Sequence, residues 1–241
     1  TSTGENTIEH LTIRNGSATT PSGGGGIYHN SAGPLILNNV SVINNRSSYQ
    51  GGGIATGTYR QLILNNSVIS SNVANSNGGG IYNESRANLT LNNSILESNS
   101  AQNGSGGGIH NRGYGSLTLN NTTVSGNSAS TRGGGIYNSA GGTATLSSSI
   151  IRANTAIGDG GGMASGGSAV LQDTQITGNQ GNLGGGLVTV GSDSNTTILR
   201  GTLSGNRALR GGGIYVFNGG TLTLTQSTVS GNQAGVGGGI V

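Results

Sequence analysis

Three short motifs recur in the same order along the whole chain, and this repeat limits the fold more than any other feature of the sequence. A Gly triplet followed by an apolar residue occurs nine times, at intervals of 24 to 28 residues. Alternating runs such as Leu35–Leu37 follow, and then an apolar-x-x-Asn motif. The apolar residues after the triplets are Ile27, Ile54, Ile81, Ile109, Ile136, Met163, Leu187, Ile214 and Ile240. A disordered tract would not keep three motifs in phase over the whole chain, so the repeat predicts an ordered array of equivalent units.

Each repeat contains short alternating segments separated by Gly, Asn and Ser, which favours strands and not helices. Strands this short become stable when each one pairs with its copy in the next repeat. The sequence therefore predicts an all-β fold, a right-handed parallel β-helix with three sheets, about 27 residues per coil and about eight to nine coils. Residues 1–241 are expected to form a single β-solenoid domain that belongs to a longer array or filament, with a rod roughly 40 Å long.

The composition fits a narrow core better than a wide globular one. Gly contributes 50 of 241 residues, charged residues make up 7%, and apolar residues make up 31%, against 45–50% apolar residues in ordinary domains. Ile27, Leu35, Leu37 and Val42 are predicted to point inward, each at the base of a column of equivalent residues. A column of small residues is also predicted to point inward: Ser47, Ala74, Ala101, Ala129, Ala156, Gly181, Ala208 and Ala234.

The Asn residues of the third motif predict a structural ladder. They are Asn45, Asn72, Asn99, Asn127, Asn154, Asn179, Asn206 and Asn232. Asn tolerates the left-handed backbone of sharp corners, and its amide can bond to the Asn above and below. A second run, which begins with Asn38-Asn39, is expected to mark the corner after the Leu-x-Leu strand. The Gly triplets are interpreted as packed corners, since phosphate-binding loops would need a following Lys and a helix.

The combined motifs resemble a known repeat. Gly79-Gly80-Ile81 and Val124-Ser125-Gly126-Asn127 resemble the Gly-Gly-Ala-Ile and Phe-x-x-Asn motifs of the polymorphic outer membrane proteins and related bacterial right-handed β-helix surface proteins. The Phe position holds a smaller apolar residue here, for example Val42 or Ile69. The resemblance implies a secreted or cell-surface protein, similar to the passenger segments of adhesins, and it extends in architecture to pectate-lyase-like enzymes.

Catalytic chemistry is not indicated by the ionisable residues. The acids Glu5, Glu9, Glu84, Glu97, Asp159, Asp173 and Asp193 fall at different positions of the coil, as do His10, His29 and His110. A glycosidase would need two carboxylates placed across one bond. We therefore expect no enzyme activity, no catalytic residue, no metal site and no cofactor.

Nucleic acid and membrane partners are also not expected. The ten Arg residues are spread along the rod, apart from Arg200, Arg207 and Arg210 in one coil, and no aromatic platform lies among them. No apolar run reaches the roughly 18 residues that a membrane-spanning helix requires. The sequence thus predicts no nucleic-acid binding and no membrane insertion by this segment.

Two rows are predicted to point outward. The first follows the Gly-triplet residues and offers a possible surface contact row for sugar or protein: Tyr28, Tyr82, His110, Tyr137 and Tyr215. The second lies in the middle of the Leu-x-Leu strands: Ile36, Ile63, Thr90, Thr118, Thr145, Val170, Ile198 and Thr223. Flat Thr-rich faces occur in ice-binding solenoids, but this row mixes Ile and Val with Thr.

The expected function is that of a non-enzymatic extracellular β-solenoid, acting as a stalk, an adhesin segment or a self-assembling filament subunit. Its expected partners are other copies of the chain, end to end or side by side, or a cell surface or glycan. The absence of a signal peptide fits a mature secreted segment. The alternative is a polysaccharide-binding or polysaccharide-cleaving β-helix of pectate-lyase-like architecture.

Overall fold

The computed structural model describes residues 4–241 and contains no helix in that range. The described chain winds as a parallel β-solenoid of about nine turns, in which each strand pairs in parallel with its copies one coil below and above. For example, Leu64 and Leu91 are Cα partners in neighbouring coils. The expected stacking of residues about 27 apart, with three extended sheets, is confirmed.

The first sheet has nine strands and holds the Leu-x-Leu motifs. Its strands are Asn6–Glu9, Leu35–Asn38, Gln61–Asn65, Asn88–Asn92, Ser116–Asn120, Thr143–Ser147, Ser168–Gln172, Asn195–Leu199 and Thr221–Thr225. The second sheet also has nine strands and holds the apolar residue before the ladder Asn. Its strands are Thr12–Arg14, Ser41–Ile43, Val68–Ser70, Ile95–Glu97, Thr123–Ser125, Ile150–Arg152, Gln175–Thr177, Thr202–Ser204 and Thr228–Ser230.

The third sheet has eight strands that begin after the Gly triplets. They are Ile27–His29, Ile54–Thr56, Ile81–Asn83, Ile109–Asn111, Ile136–Asn138, Met163–Ser165, Leu187–Val190 and Ile214–Phe217. A short ladder, which the sequence did not predict, lies between the second and third sheets. It comprises Ser17–Ala18, Arg46–Ser47, Val73–Ala74, Ser100–Ala101, Ser128–Ala129 and Thr155–Ala156, and then the pair Arg207–Arg210 and Gln233–Val236.

The core consists of apolar columns, one or two from each sheet. Leu35, Leu37 and Val42 are buried as expected, and Ile27 is partly buried against the same cluster. The small residues from Ser47 to Ala156 are buried too, but none of them belongs to the apolar core cluster. They lie on the short ladder beside the main core, and the later members Gly181, Ala208 and Ala234 are half-buried.

The Gly triplets form corners packed backbone against backbone, as expected. Gly78 has a φ of +67°, which L side chains rarely adopt. A Cβ atom on Gly79 would meet the carbonyl oxygen of Gly107 and the backbone of Ser100. The segment between the short ladder and the third sheet therefore requires glycine, because a side chain there would collide with the neighbouring backbone.

One predicted outward residue points inward. Ile198 is fully buried and pairs with Leu171, while Thr197 pairs with the outward Val170. The motif Thr197-Ile198-Leu199 resembles Leu-x-Leu but is displaced by one residue, and a one-residue displacement reverses the face of every side chain in a strand. Thr196 then also points inward, where its Oγ1 accepts a hydrogen bond from Thr189 Oγ1 at 2.9 Å.

Candidate functional site

The predicted Asn ladder is continuous from Asn45 to Asn232. Within it, each Asn side chain joins three coils. Asn72 Nδ2 donates to Asn99 Oδ1 at 3.0 Å and to the carbonyl oxygen of Val42 at 2.9 Å, and the Asn72 backbone N–H donates to the same Asn99 oxygen. The same pattern continues through Asn127, Asn154, Asn179 and Asn206. Buried amides paired in this way align the coils and satisfy backbone groups that water cannot reach.

The ladder residues do not occupy the left-handed backbone positions at this corner. The residue before each one does: Asn44, Ser71 and Ser98 have φ values of 54°, 55° and 56°. The expectation that the ladder Asn itself turns the corner is therefore wrong. Its side chain is used for hydrogen bonds, while its neighbour makes the turn.

Two further Asn ladders are present, one half-buried and one buried. At the corner after the first sheet, Asn65 Nδ2 donates to Asn38 Oδ1 and Asn92 Nδ2 to Asn65 Oδ1, both at 2.8 Å. At the end of the third sheet, Asn83 Nδ2 donates to Asn111 Oδ1 at 2.7 Å. Asn111 Nδ2 donates in turn to Asn138 Oδ1 at 2.8 Å. This last ladder was not predicted from the sequence, although each member follows the Gly-triplet Ile by two residues.

The predicted surface contact row is largely covered. Tyr82 and His110 are buried, Tyr137 and Tyr215 are half-buried, and only Tyr28 is exposed. The His110 ring lies 5.2 Å from the Tyr82 ring and 5.0 Å from the Tyr137 ring, and its Nδ1 is 3.4 Å from Ser105 O in the preceding corner. The row points away from the core, but the chain returning from the short ladder packs over it, so it is not a contact row of five exposed rings.

Burial changes the titration of two members of this row. Loss of solvent lowers the pKa of His110 to about 4, because a charged imidazolium would be stranded away from water. Burial, with help from the nearby Glu84 carboxylate, raises the pKa of Tyr82 to about 12. Burial also lowers the pKa of His29, whose Nε2 has no hydrogen-bond partner. His110 and His29 are therefore neutral at physiological pH.

The two most exposed aromatic side chains lie instead in the turns between the third and first sheets. Tyr59 and Tyr114, in turns two coils apart, are 64% and 69% exposed. The Arg86 guanidinium carbon lies 5.6 Å from the centre of the Tyr59 ring and 5.5 Å from that of Tyr114. Arg86 Nη1 also donates to the Tyr59 hydroxyl at 3.0 Å. We call these three residues the Tyr–Arg–Tyr stack.

A polar cleft of about 460 Å³ adjoins the stack. We call it the Tyr28 cleft. Its walls include Tyr28, Asn30, Gln50, Thr58, Arg60 and Glu84. Thr58 and Arg60 flank Tyr59 in the chain, so the cleft and the stack share one turn. The cleft offers one ring, amide and hydroxyl groups, and charges of both signs, which suits a polar ligand.

The stack could have been found in the sequence. Tyr59, Arg86 and Tyr114 each follow the Gly-triplet Ile of their coil by five residues. All three have positive φ values, between 60° and 63°. The residue type at this position changes from coil to coil, so the contact cannot be recognised until the register of the coils is known. The next member is Gly141, which leaves one side of the Tyr114 ring without a covering side chain.

Most of the ion pairs between described residues lie on the surface. Arg112 Nη1 lies 2.7 Å from Glu84 Oε1, and Arg200 Nε lies 2.7 Å from Asp173 Oδ1. The hydrogen bonds from Arg200 hold the pKa of Asp173 below its usual value. No group of three or more His, Asp or Glu residues in the range 4–241 is placed to hold a metal ion. The range 4–241 also contains no helix that could cross a membrane.

The comparisons with known proteins agree with this geometry. Residues 102–240, more than half of the chain, match the right-handed beta helix region. The chain thus belongs to the right-handed β-helix family, which confirms the expected hand of the coil. Residues 66–84 match the Chlamydia polymorphic membrane protein repeat, so the resemblance inferred from the motifs is confirmed. No curated protein and no solved structure matches the chain.

Proposed function

We propose that this chain is a non-enzymatic structural and adhesive rod displayed outside the cell, as a stalk, an adhesin segment or a filament subunit. The observation that carries the proposal is the unbroken Asn ladder, which is buried from Asn45 to Asn206 and continues to the half-buried Asn232. Together with strands paired on both sides, it gives every coil the same rigid connection to its neighbours. Such a rod holds its turns at fixed positions, where they can contact a partner.

The location is supported by the repeat itself. A match to the polymorphic membrane protein repeat suggests a surface or outer-membrane-associated protein. A secreted or cell-surface position is our proposal for this chain. Its proposed partners are further copies of the chain, end to end or laterally, and the surface of another cell.

Binding is favoured over cleavage by the arrangement of the acids. Glu84 is the one carboxylate among the described residues that line the Tyr28 cleft. Its Oε1 already accepts hydrogen bonds from Arg112 Nη1 and the Ser85 backbone N–H. Hydrolysis of a glycosidic bond by the common route uses two carboxyl groups about 5 to 9.5 Å apart. The cleft is therefore better suited to hold a polar ligand than to cut it.

Surface display tests the proposal. The chain would be fused to a membrane anchor on a non-adherent bacterium, and attachment to cultured epithelial cells would be counted. We expect attachment well above that of the anchor alone, and electron microscopy of the purified chain should show straight rods or fibres. Attachment equal to the anchor alone would contradict the adhesive role. Loss of viscosity in a panel of polysaccharide solutions would favour the enzymatic alternative.

A further inference from the structure

The Tyr28 cleft and the Tyr–Arg–Tyr stack bring together two cationic groups that form no ion pair. The ion pairs between described residues join Arg112 to Glu84, Arg132 to Asp159 and Arg200 to Asp173. Arg60 instead donates through Nε to the neutral Asn30 Oδ1 at 3.3 Å. Arg86 donates to the Tyr59 hydroxyl. Both guanidinium groups therefore keep N–H donors for an anionic ligand, whereas Glu84 is neutralised by Arg112.

Three exposed rings surround these cations. Tyr28 is 46% exposed and forms one wall of the cleft, and Tyr59 and Tyr114 form the two sides of the stack. Tyr59 and Tyr114 are separated by two coil rises, about 10 Å, which is close to the length of a disaccharide unit. Aromatic rings pack against the C–H faces of sugars, while amide and hydroxyl groups bond to the sugar hydroxyls.

We propose that the Tyr28 cleft and the Tyr–Arg–Tyr stack form one binding site for an acidic oligosaccharide, a chain of pyranose sugars that carries carboxylate or sulfate groups. The rings of Tyr28, Tyr59 and Tyr114 contact the sugar faces. Arg60 and Arg86 pair with the acidic groups. This inference rests on the proposed surface role and names the ligand class that the rod contacts there.

Peptide ligands fit the site less well. A peptide usually adds a strand to a free sheet edge or places apolar side chains in a pocket. The third-sheet strand Ile54–Thr56 beside the cleft is paired on both sides, and polar residues dominate the cleft walls. The site therefore offers neither a free sheet edge nor an apolar pocket for a peptide. It does offer the exposed rings and the cationic groups that an acidic sugar chain requires.

The test measures binding of hyaluronan octasaccharides to the whole chain by surface plasmon resonance. The same oligosaccharides with their carboxylates reduced to alcohols provide the neutral comparison. Chondroitin sulfate of equal length separates recognition of sulfate from recognition of carboxylate. We expect at least one acidic chain to bind more tightly than the reduced chain, with affinity that falls as salt rises. Poly-glutamate tests whether negative charge alone is enough.

Single variants locate the site. Tyr59→Ala and Tyr114→Ala should each weaken binding about tenfold, while Tyr59→Phe should stay within about twofold because it keeps the ring. Arg60→Gln should reduce the preference for the acidic chain about fivefold. Ile157→Ala and Arg152→Gln remove an exposed apolar side chain and an exposed cation elsewhere on the rod and should leave binding unchanged.

The inference is overturned by any of three results. These are absence of binding to every acidic chain, equal losses in Tyr59→Ala and Ile157→Ala, or poly-glutamate binding as tight as that of the sugars. Circular dichroism of each variant separates a lost site from a lost fold. Attachment that persists in the display assay when Tyr59→Ala and Arg60→Gln are combined would remove this ligand but keep the adhesive role. Failure of the unmodified rod to attach would contradict the adhesive role itself.

Discussion

At the residue scale, the buried Asn side chain does more than its repetition in the sequence suggests. Asn99 Oδ1 accepts hydrogen bonds from the backbone and the side chain of Asn72, and its Nδ2 donates to Ile69 O and Asn127 Oδ1. A buried donor that loses its acceptor costs about 1–3 kcal/mol. The ladder is therefore a main source of specificity for the stacking of the coils.

Replacing one ladder Asn tests this directly. Asn99→Ala leaves the backbone N–H and the Nδ2 of Asn72 without their acceptor, so we expect the free energy of unfolding to fall by about 3 kcal/mol. Urea unfolding followed by circular dichroism measures the loss. Asn92→Ala is the matched control, because Asn92 belongs to the half-buried ladder, where water can replace the lost bonds. It should cost less than about 1 kcal/mol, and equal losses at the two sites would contradict the argument.

The buried imidazole of His110 predicts a dependence of stability on pH. The unfolded chain takes up a proton on His110 near the ordinary pKa of 6.5, whereas the folded chain does so only near about 4. Between these values the unfolded state binds more protons, so the free energy of unfolding falls as the pH drops from 6.5 to 4 and then levels off. The loss attributable to His110 is about 3 kcal/mol.

Two variants isolate this contribution from that of His29, which shifts in the same direction. His110→Phe keeps a ring between Tyr82 and Tyr137 and should flatten the decline in stability between pH 6.5 and 4. Tyr137→Phe alters the neighbouring ring without a group that titrates in this range, so it should keep the decline of the unmodified chain. Thermal unfolding at a series of pH values measures both, and an unchanged decline in His110→Phe would show that His110 is not its source.

Residue type alone predicted the members of the buried ladder, because they recur at one position of the repeat. It did not predict which residue takes the left-handed backbone, since Asn44, Ser71 and Ser98 differ in type and share only their geometry. The Tyr–Arg–Tyr stack was missed for the same reason. Its members differ chemically, and their contact exists only after the coils are placed in register.

At the scale of the strand, alternation of side chains decides the register when residue type is ambiguous. The sequence predicted the first sheet correctly wherever Leu-x-Leu is intact, and it failed at Asn195–Leu199, where Thr196 takes the position of a Leu. A buried Thr is acceptable there because Thr189 Oγ1 donates to Thr196 Oγ1 at 2.9 Å. The pair gives each buried hydroxyl a partner between the third and first sheets.

This pair predicts non-additive mutations. Thr196→Val or Thr189→Val alone leaves one buried hydroxyl without its partner, and each should lower the free energy of unfolding by about 1–2 kcal/mol. The double variant removes both polar groups and should cost less than the sum by about 1 kcal/mol or more. Urea unfolding of the four chains measures the coupling. Simple additivity would mean that the hydroxyls do not interact in solution.

At the scale of the whole molecule, the strands of each coil pair only with those of the coils below and above it. The fold could therefore be predicted from the period of the repeat, because equivalent strands stack on one another in the same way in each of about nine turns. The binding surface could not be predicted this way. It depends on residues that change from coil to coil, such as Tyr59 and Arg60. It also depends on the exposure of Tyr28, whose equivalents Tyr82, Tyr137 and Tyr215 are buried or half-buried.

Removal of one complete coil should therefore leave a shorter but intact rod. Deletion of residues 137–163 joins Ile136 to Ala164 and brings Asn127 next to Asn179 in the ladder. Each remaining coil keeps an equivalent neighbour, so we expect unchanged circular dichroism per residue and a rod shorter by about 4.8 Å in solution scattering. The Tyr28 cleft and the Tyr–Arg–Tyr stack lie outside the deletion, so their affinity for an acidic oligosaccharide should be unchanged.

Deletion of residues 137–149, about half a coil, is the control. It places Ile150 of a second-sheet strand where a third-sheet strand must continue, so equivalent residues no longer stack and the ladder is interrupted between Asn127 and Asn154. We expect this shorter deletion to unfold at a much lower urea concentration than the longer one. If both deletions were tolerated equally, alignment of like residues would not determine the fold, since the chain would then accept coils out of phase.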